Sequence, residues 1–386
     1  MDCTYQDWLS KAQLPIPEGK GSTDSIAKEK PAGSSSARRP ETVDSDVDLD
    51  TDDAVVSELE LVQHFLSHTC RTLAAASIQE AQHHDWCVSV PALAKTSTAV
   101  HRGMLALAAC CMYTHAARDA DEEKGSLLRV AYVHYNACLR ESGPQLQKLD
   151  EAEHVNAIVA TTRILFALGL AFCQIERRLG KTLADEECWA WLPLLRGNFV
   201  VTKVVEGSAQ GDTPLQNRAQ RPRTPLRPSC GRNKAHSEGD VGKAPVLDFL
   251  RQARLPSIAS LREVISENRS ALSPEQYSHY TQAIDLLDEV FSQICLGSRI
   301  TNFVRIVFTW PCRMPSDLSE SLTNGDRFAL VIYAHWLMLT VLLEDVWTVG
   351  DMGRAGIFEV VARSGEWSER EQALLLWPKR MLSVSV

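Results

Sequence analysis

His64 and His68 stand four residues apart, a spacing that places two imidazoles on one face of a helix and that metal sites use. No third ligand is evident nearby, so the pair reads as two polar or half-buried histidines, and neither metal nor other cofactor is expected. Cys110 and Cys111 lie in an Ala/Leu-rich stretch where thiols behave as small apolar side chains. Carboxylates are plentiful, yet none is paired in an apolar setting of the kind that separates an acid from a base. There is no Gly-x-Ser-x-Gly elbow, no dinucleotide fingerprint and no Asp-Asp-x-x-Asp cluster for a metal-bound diphosphate. Gly19-Lys20-Gly21-Ser22 lacks the spacing of a phosphate loop. These residues assign no catalytic group, and the expectation is a protein that is not an enzyme.

The stretch with the most to offer a ligand runs from about Asp326 to Trp347. Phe328, Tyr333, His335, Trp336, Leu339, Leu343 and Trp347 surround much of the circumference of one expected helix. A helix apolar all round is usually buried, whereas a pocket needs apolar walls with a few polar groups, which Tyr333 and His335 could supply. Core packing and pocket lining both remain open for these seven residues.

Such side chains need a scaffold, and its class follows from composition. The 386 residues are 45% apolar, enough for a substantial core in one large domain or two smaller ones. Leu, Ala and Glu are abundant and regular strand signals are missing, which points to helices. Formal net charge is −9 and no long Lys/Arg run occurs, so direct DNA binding is disfavoured and any DNA contact is indirect. The eleven cysteines are scattered and no signal-peptide pattern precedes them, as suits a reducing compartment. Ala157 to Cys173 is the most membrane-like run, but Arg163 interrupts it and its length falls below the roughly 20 residues of a span. It reads as a buried helix, and no membrane span is expected.

Residues 1–56 form a Ser/Gly/Pro-rich and then acidic tail that cannot bury enough apolar surface to offset the entropy of ordering. Order begins at the Ser57-x-x-Glu60 capping box. Helices are expected at 100–117, at 126–142 ending at Gly143-Pro144, at 151–179 ending at Gly180, and at 185–204. Residues 206–245, with Pro214, Pro222, Pro225 and Pro228, read as a disordered insert. Helices resume with 246–386: one opens at Ser273-Pro274-Glu275-Gln276, another covers 299–309, an irregular stretch spans 310–325, and 326–347 is strongly apolar. Short helices at 354–363 and 368–377 follow, the latter with a capping box at Ser368 and Glu371.

Several landmarks occur in a characteristic order. They are Leu61 to Leu73 with His64 and His68, then Trp86, Val90-Pro91-Ala92-Leu93-Ala94, and His101 to Ala109. Trp191-Leu192-Pro193-Leu194-Leu195-Arg196-Gly197, Trp310-Pro311, Ala329 to Trp336 with Glu344 and Trp347, and Trp377-Pro378 complete the set. Over roughly 59–205 and 245–380 the chain resembles the C-terminal regulatory region of fungal zinc-binuclear-cluster transcription factors, in the branch typified by the sterol uptake control protein. The resemblance implies an all-α, multi-helix regulatory domain, split into 57–205 and 246–386, that holds a sterol or other apolar small molecule. It further implies control of lipid, sterol or secondary-metabolite genes from the nucleus, or from nucleus and cytoplasm together. Other transcription regulators or a second copy of the chain are the implied protein partners. The family's six-cysteine DNA-binding cluster has no counterpart, because no two cysteines here are separated by two residues. The alternative expectation is a protein-interaction module with neither a small-molecule ligand nor direct DNA binding.

Overall fold

A computed structural model describes residues 56–75, 83–116, 121–146, 152–210, 243–296 and 303–384. All the regular structure among them is helical. The expected tail and most of the expected insert lie outside the described residues.

Local capping sets several boundaries. The Ser57 hydroxyl accepts from the Glu60 amide, while the Ser57 amide donates to Glu60 Oε2 over 2.8 Å, which opens α1 (Glu58–His64). A π-helical turn, Phe65–Thr69, carries α1 into α2 (Cys70–Ala75). A second π turn, Asp85–Ser89, precedes α3 (Val90–Leu93), α4 (Thr98–His115), α5 (Asp121–Leu146) and α6 (Ala152–Arg178). The end of α6 is followed by Gly180 at φ +97°, a left-handed position that glycine adopts without strain.

The expected 185–204 helix is two elements, a 3₁₀ turn at Glu186–Trp189 and α7 (Trp191–Gln210). Pro193 explains the break, since it cannot donate to the preceding turn but fits the first turn of a new helix. Helix α5 does not stop at Gly143-Pro144 but continues to Leu146, because a proline in the last turn forfeits only one backbone bond. The insert is shorter at both ends than expected, α7 running to Gln210 and α8 (Ala244–Glu267) starting ahead of Val246.

Helix α9 (Pro274–Leu296) opens with the Ser273/Gln276 pair, whose reciprocal bonds are 3.0 and 3.1 Å. In place of one 299–309 helix and an irregular stretch stand α10 (Phe303–Val307), α11 (Thr309–Arg313) and α12 (Ser316–Thr323). Pro311 lies in the first turn of α11 and Pro315 caps α12, so both prolines start short helices. Helix α13 (Arg327–Thr340) is capped by Asp326, whose carboxylate also accepts from Tyr280 of α9. It ends earlier than expected, passing through a 3₁₀ turn at Val341–Leu343. Helices α14 (Met352–Arg363), α15 (Glu369–Leu374) and α16 (Leu376–Met381) complete the described chain.

Two buried clusters organise these helices. The first packs α1 against α4, α5 and one face of α6. The second surrounds α13, every residue of which from Phe328 to Thr340 is buried, with α8, α9 and the C-terminal helices. Helix α6 belongs to both: Ile164, Leu168, Phe172 and Ile175 face the first cluster, Leu170 and Cys173 the second. By length and composition α6 passes as a membrane-crossing helix, and 83% of its apolar window is buried against the rest of the chain.

Candidate ligand cavity at the seam of the two cores

A cavity of about 500 Å³ opens where the two clusters meet. Helix α6 supplies Arg163, Phe166, Ala167 and Leu170 to its wall, and α7 supplies Leu195, Asn198, Phe199, Thr202 and Lys203. Val304, Arg305, Phe308, Thr309 and Cys312 come from the α10–α11 segment, Val346, Thr348 and Val349 from the turn after α13, and Leu73 and Trp86 from the N-terminal helices. Three of these residues are basic and none is acidic.

The i, i+3 and i, i+4 spacing of the lining residues on α6 and α7 puts them on one face of each helix. The two helices approach closely because position 169 is glycine. Opposite them, Arg196 donates to the carbonyl oxygens of Pro311 (3.3 Å) and Met314 (3.1 Å), fixing α11 against α7. Gln174 of α6 donates through Nε2 to the Val349 carbonyl and so holds the turn that bears Val346, Thr348 and Val349. Gly350, at φ +48°, lets that turn reverse.

Aromatic packing backs the wall. Phe308 meets Phe166 edge-on at 5.2 Å and Trp191 at 5.9 Å, and Trp336 stacks on Trp191, Trp310 and Tyr333 behind them. The Cys312 thiol is pushed up to about 12 by burial and stays protonated at neutral pH. At the basic side, Arg163 is tied to Asp85 at 2.8 Å, Lys203 lies over the Phe199 ring at 4.8 Å, and Lys203 and Arg305 are exposed. An apolar floor with cationic groups at the rim can receive an apolar molecule that ends in a polar or acidic head.

None of the seven residues singled out on the apolar helix lines this cavity. Phe328, Tyr333, His335, Trp336, Leu339 and Leu343 are buried in the second core. The His335 Nδ1–H donates to Val331 O over 2.9 Å, and Trp336 Nε1 donates to Val307 O over 2.8 Å. Trp347 crosses the seam to pack against the first core, and its Nε1 is buried without an acceptor among the described residues. The actual lining was hidden in sequence because its residues are polar, basic and small as often as aromatic, and are spread from 73 to 349.

The histidine pair also has company that sequence spacing did not reveal. Cys111 and His115, four apart on α4, come beside His68, and their donor atoms lie within 4.8 Å of one another. Cys110 points into the core and is fully buried.

Comparison with protein-family models, characterised proteins and solved structures finds no match to this chain.

Proposed function

We propose that this chain is a ligand-responsive, non-enzymatic regulator of transcription, and that the seam cavity is where its ligand binds. The observation that carries the reading is the cavity's position. At about 500 Å³ it falls within the roughly 300–1,000 Å³ of small-molecule sites, and its walls come from both cores. A molecule seated there touches α6 and α7 on one side and α10–α11 on the other, so its affinity depends on how the cores are set. A ligand that prefers one setting shifts the population towards it, whereas equal affinity for both would shift nothing.

The chemistry of the wall favours a lipid-like molecule, a sterol or a long-chain acid, with its polar end near Arg163, Lys203 and Arg305. The resemblance to the sterol-responsive branch supports a role in lipid, sterol or secondary-metabolite gene control, exercised in the nucleus through other DNA-bound regulators or a second copy of the chain.

Thermal unfolding of the full chain with sterols and with long-chain carboxylates tests this, because a ligand of the native state adds about 2.7 kcal/mol at one hundred times its Kd. A saturable rise in Tm that Thr202→Trp removes by filling the cavity supports the reading. A rise with carboxylates that Lys203→Glu abolishes identifies the acidic head, and a rise with sterols that survives it identifies the neutral one. The regulatory part is read by tethering the chain to a heterologous DNA-binding domain and following a reporter with and without the ligand found. Unchanged Tm across the panel in folded protein would sink ligand sensing. It would leave the interaction-module reading, to which the exposed Val200 and Val204, one turn apart on α7, lend an apolar stripe.

A further inference from the structure

We propose that His68, Cys111 and His115 form a binding site for a borderline-soft divalent metal ion, with Zn²⁺ the ion their chemistry suits best. A His/His pair and a Cys/His pair, each of four-residue spacing, His64/His68 and Cys111/His115, face one another across the packing of α1 and its π turn on α4. Two imidazoles and one thiolate are a donor set for zinc, which takes nitrogen at about 2.0–2.1 Å and sulfur at about 2.3 Å in tetrahedral geometry. Those bond lengths require donor separations of about 3.3–3.6 Å. The present donors lie within 4.8 Å of one another, and the two histidines are exposed, so a modest side-chain adjustment at the surface closes the gap. Cys111, by contrast, is fully buried and supplies the fixed point.

The surroundings are arranged as a ligating cluster needs. His115 Nδ1 donates to the Cys111 carbonyl over 2.7 Å and stands 3.7 Å from the Cys111 sulfur, so the ring is already held beside the thiol. Burial raises the Cys111 thiol to about 11, and the neighbouring Thr69 and Thr72 hydroxyls partly offset that rise. A cation supplies the charge that burial otherwise denies the thiolate, and the proton leaves to solvent when the metal binds. Thr69 also holds His64 Nδ1 at 2.9 Å, turning a third imidazole, 5.3 Å from His68 between ring centres, towards the same corner. His64 or water completes the tetrahedron. The π turn that carries His68 is an irregularity that recurs at functional sites, and here it aims that ring at α4.

The ion would clamp the N-terminal helices to α4, five residues before Leu73 of the seam cavity, but the site stands independently of what that cavity binds. The test uses the full chain, stripped with chelator and titrated with Co²⁺ and then Zn²⁺. The expected result is a thiolate-to-cobalt charge-transfer band at one equivalent, displaced by one equivalent of Zn²⁺ and lost in Cys111→Ser. Because position 111 is buried, His68→Ala and His115→Ala at exposed positions provide the second arm, each expected to weaken Zn²⁺ binding at least about tenfold with the helical signal unchanged. A folded wild-type chain that develops no band overturns the proposal. So do a band and an affinity left intact by all three substitutions, because the metal would then sit on other thiols.

Discussion

Gly169 of α6 faces Trp191 of α7 so closely that a β-carbon at 169 would lie 2.9 Å from the Trp191 Cα. Backbone cannot yield as a side-chain tip can, so Gly169→Ala forces the two cavity-bearing helices apart. Overpacking costs of about 1–3 kcal/mol outweigh the gain of about 1 kcal/mol in helix propensity. Gly125, where an added β-carbon meets nothing within 4 Å, is the control. Chemical denaturation is expected to show Gly125→Ala stabilised and Gly169→Ala destabilised.

Trp336 is the hub of the aromatic stack, with ring centres 5.3–5.9 Å from Tyr333, Trp310, Phe308 and Trp191. Trp336→Ala should cost about 3–5 kcal/mol whether or not ligand is present. Denaturation midpoints of this variant with and without ligand measure that, and a loss of ligand response without loss of stability would contradict the packing role.

Burial holds His335 and His134 neutral, each lowered to about 4, with the Arg102 guanidinium adding to the effect at His134. In the unfolded chain both titrate near 6.5, so the unfolded state binds more protons between those values. Stability is therefore complete above pH 6.5 and falls as pH drops towards 4. For His335 the displacement amounts to about 3 kcal/mol. Urea unfolding from pH 7 to 4.5 should show a shallower decline in His335→Gln than in wild type, and parallel profiles would refute the assignment.

Arg354 donates to Glu344 (2.6 Å) and to the carbonyl oxygens of Met381 (3.0 Å), Leu382 (3.0 Å) and Val384 (2.6 Å). Removing it leaves the half-buried Glu344 carboxylate without its cation, and burial already raises that group. Arg354→Ala is expected to cost about 2–3 kcal/mol. It should also speed hydrogen exchange at 382–384 relative to α16, a difference that a purely global destabilisation would not produce.

Local rules carried much of the fold in the sequence alone. The serines at 57, 273 and 368 open helices because each has Glu or Gln three residues on, and that reciprocal bonding needs nothing distant. The four-residue apolar spacing made the chain all-α, and Gly180 ended α6 because glycine tolerates a positive φ. Prolines were less transparent. Pro144 sits inside α5 while Pro193 restarts a helix, since the effect of a missing N–H depends on whether the turn it falls in is ending or beginning.

Which apolar helix would be core and which would edge a cavity was decided by tertiary structure. Composition made α13 rich in aromatic groups, but only its enclosure in the second core, where Trp189, Trp191, Phe308 and Trp310 close over Tyr333 and Trp336, buries those rings and leaves the cavity to residues such as Thr202 and Lys203. Likewise His68 and His115 are 47 residues apart, and helix periodicity says which face each occupies but not which faces meet. That meeting depends on the packing of whole surfaces, where Ala, Gly and Cys between the large side chains set how near two helices come.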